Sequence, residues 1–253
     1  MDMLEVLRLQ LEWGADEALL DAPQDRRLAT TPAATPPPAK PARTLNALPA
    51  GPAEAARLAA ACDTLEALQT AMAAFTGCAL RDTATRMVFA DGVENPRVML
   101  VGEAPGAEED RIGRPFVGAA GLLLDKMLAS IGLDRTAVRI ANIIPWRPPG
   151  NRNPTASEVE ICLPFLQRQV ALIRPPCLVL LGAVAAKAML AEPERNAGIR
   201  RQRGIWRNIE IAGLEAPLPC LPTYHPAYLL RTPAAKKEAW LDLLALREWL
   251  ESH

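Results

Sequence analysis

Three short stretches of this chain carry residue types able to do chemistry. The chain has 253 residues and two histidines, one of them its last residue. The other, His225, lies in "TYHPAYLLR", 223–231. An imidazole can donate to a leaving group or exchange a proton near neutral pH. Leu229, Leu230 and Arg231 follow as an apolar and basic tip, suited to filling a gap in stacked bases. The second stretch, "GEAPGAEEDRIGRPFVG" at 102–118, crowds Glu103, Glu108, Glu109 and Asp110 together. Such carboxylates orient water and offset positive charge, or merely form a solvated turn whose charges favour a helix N-terminus. Gly102 and Gly106 permit tight backbone paths around Ala104. Phe116, set among glycines and a proline, is a core anchor or a flat surface for a planar ligand. The third stretch is "NIIPWRPPGNRNPT". The Asn142 amide offers a donor and an acceptor side by side, for tying down a loop or reading a ligand edge. Arg147 and Arg152, on a stiff proline-rich path, suit an anion.

The elements that must position these stretches read as strands alternating with helices. Apolar runs at 97–106, 137–145, 177–182 and 218–226 predict four buried strands. Helices are predicted over 64–75, with Asp63 and Glu66 as a capping box, over 118–133, from the Thr155/Glu158 box to about 173, over 183–191, and over 233–251. "RRQRGIWRNIEIAG" reads as a β-hairpin. This alternation predicts an α/β fold with a mostly parallel sheet covered on both faces. Ligands of such sheets sit outside the carboxyl ends of the strands, where all three stretches fall. Ahead of this domain, 1–25 reads as a short acidic amphipathic helical segment. Residues 26–53 read as a Pro/Ala-rich linker, with seven prolines between 32 and 52. The folded domain spans 54–253.

Composition narrows the class. No run approaches twenty apolar residues, and the acidic start lacks the form of a secretory signal, so a cytoplasmic protein is expected. Five cysteines with no CxxC pair fit a reducing compartment. Residues 1–139 carry 14 basic and 19 acidic side chains, and residues 140–253 carry 14 and 10. Arg200, Arg201 and Arg203 belong to an acid-free run that is either a solvated face or a phosphate contact. A monomer is expected.

The three stretches, with "SEVEICLPFL", resemble the motifs of family 4 uracil-DNA glycosylases over roughly residues 70–250. The resemblance implies a three-layer α/β/α sandwich with a four-stranded, mostly parallel central sheet. It implies a monofunctional enzyme that hydrolyses the N-glycosidic bond of deoxyuridine in single- or double-stranded DNA and leaves an abasic site. Phe116 would stack on the flipped base, Asn142 would pair with its O4 and N3 edge, and His225 would donate to O2. Glu109, with Glu103 as second candidate, would orient the water. Gly102 and Ala104 would present backbone to the base. Leu229, Leu230 and Arg231 would form the wedge, and the arginines around 200–203 would hold phosphates.

One departure stands out. The family carries a [4Fe-4S] cluster on four cysteines, and the matching positions here are Phe75, Cys78, Trp146 and Cys162. Cluster iron is held by thiolates, which phenylalanine and tryptophan lack. No cofactor is therefore expected. The alternatives are a protein that binds uracil or abasic DNA with slow or no turnover, and a hydrolase of free nucleosides.

Overall fold

The computed structural model describes residues 51–253. The expected N-terminal helical segment, and the linker up to residue 50, lie outside the described residues. The chain enters through α1 (Pro52–Ala60) and α2 (Leu65–Ala74), then the single turn α3 (Leu80–Thr83). α2 is capped by Thr64, whose hydroxyl accepts from the Ala67 N–H at 3.1 Å. The expected cap, Asp63, instead pairs with Arg168 at 3.1 Å. Next come β1 (Asp91–Gly92), β2 (Val98–Gly102), α4 (Ala107–Ile112), α5 (Ala119–Ala129) and β3 (Val138–Asn142). α6 (Ala156–Ile173) starts at the expected box, with Thr155 and Glu158 bonding each other's backbone N–H. β4 (Leu178–Leu181), α7 (Ala183–Met189), α8 (Ile199–Gln202), β5 (Arg207–Ile209), β6 (Leu218–Thr223), α9 (Pro226–Arg231) and α10 (Lys236–Ser252) complete it.

The six strands lie in the order β1-β3-β2-β4-β6-β5. The four expected strands form the parallel centre, and β1 and β5 are short antiparallel edges. The hairpin expected over 200–213 does not form. Its first half coils into α8, and β5 pairs with β6 instead. The central strands alternate between two cores. Met99, Val101, Leu178 and Leu180 face the layer of α1, α2, α6 and α7. Val98, Leu100, Val179 and Leu181 face α5 and α10. Burial on both faces is why these strands read as largely apolar runs, with the buried Arg139 of β3 as the interior exception. Each such side chain contributes about 1.5–3 kcal/mol when fully buried. Among the described residues, no helix is long and apolar enough to cross a membrane.

Candidate active site

β2 and β3 pair in register, so Gly102 lies opposite Asn142 at their carboxyl ends. The chain continues the pairing beyond the strands, with Ile143 N–H on the Gly102 carbonyl and Ile144 N–H on that of Glu103. This fixes the two loops side by side. β6 ends at Thr223, and two residues later His225 caps α9. Gly182, at the end of β4, has φ +92°, and a Cβ there would sit 2.9 Å from the Cβ of His225. Glycine thus lets the histidine close over the end of the neighbouring strand. A glycine ending an apolar strand was the signal for this residue, which sequence reading missed.

A cavity of about 290 Å³ opens at this rim. Glu103, Ala104, Glu109, Phe116, Asn142 and His225 all line it, and Arg152 and Arg231 stand at its edge. The Asn142 side chain is buried, and its Oδ1 has no hydrogen-bond partner among the described residues. Leaving a buried amide oxygen unpaired costs about 1–3 kcal/mol, so this atom is poised for a donor from a ligand. Gly102 lies beneath the cavity. A Cβ on it would meet Asn142 Oδ1 at 2.4 Å and the Phe116 ring at 2.7 Å.

His225 and Phe116 stack, with ring centroids 5.4 Å apart and planes at 29°. Nδ1 of His225 accepts from the Ala227 N–H at 3.1 Å, so the ring proton sits on Nε2. Burial pushes the imidazole down to about 4, aided by the Arg231 charge and opposed by Glu109. The ring is therefore a neutral donor at neutral pH. Burial pushes the Glu103 carboxyl up, against the pull of Arg231.

The four crowded carboxylates have separate roles. Glu108 is exposed and pairs with Arg111 at 2.8 Å. Asp110 is buried and accepts from the Thr85 and Arg86 N–H groups. Glu109 accepts from the Val117, Gly118 and Gly106 N–H groups at 2.9, 2.8 and 3.1 Å. It thereby ties the turn after β2 to the loop carrying Phe116. Phe116 has φ 53°, a left-handed conformation costing about 1–3 kcal/mol. Arg135 offsets this from the other side, donating to the Phe116 carbonyl and, at 3.2 Å, to that of Pro115. Arg135 is itself held by Asp91 at 2.6 Å and Asp125 at 2.9 Å. Nothing near it in the sequence marked this clamp.

Several expected DNA contacts are placed differently. Leu229 is 1% exposed and packs in the core, so it cannot be a wedge; Leu230, 44% exposed, and the exposed Arg231 remain at the tip. On a one-turn helix only one of two adjacent leucines faces out. Arg203 does not face solvent as a phosphate contact would. It pairs with the buried Asp242, and its guanidinium covers Tyr224 at 5.5 Å. Arg200 and Arg201 are exposed. Arg147 bonds Asn151 at 2.7 Å, and Arg152 pairs with Glu158 at 2.6 Å.

Below this rim, Phe75, Cys78, Trp146 and Cys162 converge in one core, each at most 3% exposed. The Cys78 and Cys162 sulfurs are 3.9 Å apart. The Phe75 ring packs edge-on against Phe165 at 5.2 Å. Two thiols and two rings do not fit a four-iron cluster, because iron there needs four thiolates. Among the described residues, no group of three or more His, Cys, Asp or Glu side chains could hold a metal ion.

Comparison with known proteins agrees with this geometry. The family model "Uracil DNA glycosylase superfamily" matches residues 89–244. A type-4 uracil-DNA glycosylase of Pyrobaculum aerophilum is 43% identical over 167 residues, covering 66% of this chain and 84% of the relative. The Archaeoglobus fulgidus type-4 enzyme is 43% identical over 173 residues, covering 68% and 85%. That of Thermotoga maritima is 40% identical over 156 residues, covering 62% and 78%. With three loops of one mostly parallel sheet closing Phe116, Asn142 and His225 around a cavity, and relatives this similar, the chain belongs to the uracil-DNA glycosylase superfamily, in its type-4 branch.

Proposed function

We propose that the protein is a monofunctional uracil-DNA glycosylase that hydrolyses the bond between deoxyribose and uracil and leaves an abasic site. The observation that carries this is the unpaired Asn142 Oδ1 in a cavity closed by Phe116 and His225. Uracil presents an N3–H donor beside an O4 acceptor. Oδ1 accepts from N3–H while the amide nitrogen donates to O4. Cytosine reverses both, so it meets a donor with a donor and an acceptor with an acceptor. Phe116 supplies the surface on which the extruded ring stacks.

When the C1′–N1 bond breaks, its electron pair passes into the uracil ring and the sugar becomes an oxocarbenium ion. Negative charge gathers on O2, and His225 Nε2–H donates to it. A neutral donor suits this task, because it stabilises charge without protonating the base in advance. Water then adds to C1′, and the proton it loses passes to the uracil anion, so that neutral uracil leaves and hydrolysis is complete. Glu109 keeps one lone pair on Oε2 after its backbone bonds, and Glu103 lines the cavity without a side-chain hydrogen-bond partner among the described residues; one of them orients that water. No step passes through a metal, and the chain acts with an aromatic core at the positions where its family holds a cluster.

The test is an end-labelled oligonucleotide with one uracil, incubated with protein and treated with alkali. A break at uracil is expected from the wild type. His225→Ala and Asn142→Ala should each lose about 10²–10³ in rate, the cost of removing one preorganised donor. Binding to uracil-containing DNA without a break would make the protein a binder instead.

A further inference from the structure

A second cavity, of about 490 Å³, lies beside the first. The two share Glu103, His225 and Arg231, which form the ridge between them. The excision just described uses neither tyrosine of this second cavity, Tyr224 or Tyr228. Tyr224 is buried, its hydroxyl donates to Glu238 at 2.7 Å, and Arg203 covers its ring. It is a fixed backing. Tyr228 stands against it, with centroids 5.0 Å apart and planes at 40°, and is half-buried. Arg200 and Arg231 are exposed and line the same cavity, and Glu103 is the one acid among its lining residues.

A ring supported from behind, open to a cavity and flanked by two guanidinium groups, suits a nucleobase and its phosphate. A strand whose uridine fills the first cavity extends past its edge in both directions. Across the ridge of His225 and Arg231, one direction leads into the second cavity. We propose that the second cavity takes the nucleotide next to the target uridine, with its base on Tyr228 and the linking phosphate between Arg231 and Arg200. The proposal rests on the excision reading for which nucleotide occupies the first cavity.

The experiment uses single-stranded oligonucleotides with one uracil, either ordinary or with a tetrahydrofuran spacer replacing the nucleotide on its 5′ or its 3′ side. Wild type, Tyr228→Phe and Tyr228→Leu are compared. On the ordinary strand Tyr228→Leu should lose about tenfold in kcat/KM, the scale of one base stack, and Tyr228→Phe less than about twofold. With the spacer on one side, the wild type should fall to the Tyr228→Leu value and the variant should lose nothing further. An equal loss by Tyr228→Leu on all three strands overturns the proposal, because Tyr228 would then act by holding His225 on their shared turn. If the wild type excises uracil from none of them, the excision reading has failed, and a second readout decides the subsite. The fluorescence of 2-aminopurine placed beside the uracil should be quenched on binding wild type and Tyr228→Phe but not Tyr228→Leu. Equal quenching by all three, or none, overturns it.

Discussion

His225 shows how one residue's surroundings set its chemistry. A free imidazole takes a proton near 6.5, whereas burial holds this one down to about 4. Protonation would also place an N–H against the Ala227 N–H that Nδ1 now accepts. The sign follows from linkage. Between about 6.5 and about 4 the unfolded chain binds a proton that the native ring refuses. Stability is therefore full above 6.5 and is lost as pH falls toward 4, by about 3 kcal/mol from this group. Nitrogen NMR of the His225 imidazole should show the Nε2–H tautomer unchanged from pH 8 to about pH 5. A titration centred near 6.5 would mean that the ring is exposed rather than held neutral by burial. Asn142 and Phe116 were legible as a polar fork and a flat ring because their types stand out among apolar strands and glycines. Arg135, which holds Phe116 in its left-handed conformation, was not, because its partners Asp91 and Asp125 lie far from the loop they support.

At the scale of elements, the site depends on strand ends meeting at the correct height. Gly182 is the sharpest case. With φ +92° and 2.9 Å between an added Cβ and that of His225, Gly182→Ala strains the backbone and pushes the histidine outward at once. It should cost about 1–3 kcal/mol of stability and also lower the excision rate. Thermal melts and single-turnover rates check this. A variant that melts lower but excises at the wild-type rate would show that the close approach does not position His225. The four parallel strands were legible as mainly apolar runs, because both faces are covered, and only Arg139 interrupts the interior of one of them. The edges were not. β1 has two residues and β5 three, too few to show alternation. Asp63 and Thr64 both suit a cap, and only the Arg168 partner across the fold shows why Asp63 is drawn away. Leu229 and Leu230 are likewise identical in type, and only the turn of α9 assigns one to the core and the other to solvent.

At the scale of the whole molecule, the basic excess of residues 140–253 acts only through arginines free to meet phosphate. Arg201 is exposed, whereas Arg203 is tied to Asp242. Arg201→Ala should therefore reduce the salt slope of single-strand binding by about 0.7 and leave melting unchanged. Arg203→Ala should leave the slope unchanged and cost about 3 kcal/mol, because it strands a buried carboxylate. The reverse pattern would return Arg203 to the DNA face. The core below the rim makes a larger claim about the same fold. Where iron would cross-link four segments in the family, Phe75, Trp146, Cys78 and Cys162 pack as side chains, with Phe165 closing the group. Stability there comes from buried area, so removing sulfur should cost only packing. Cys78→Ala with Cys162→Ala should fold, lose about 1–2 kcal/mol, and excise uracil within about threefold of the wild type. Freshly purified wild type should have no broad absorbance at about 400 nm, and chelators should not shift its melting, because two thiols and two rings do not supply the four thiolates such a cluster needs. Iron that copurifies with the wild type and is lost from the variant would show that the two remaining thiols still hold metal.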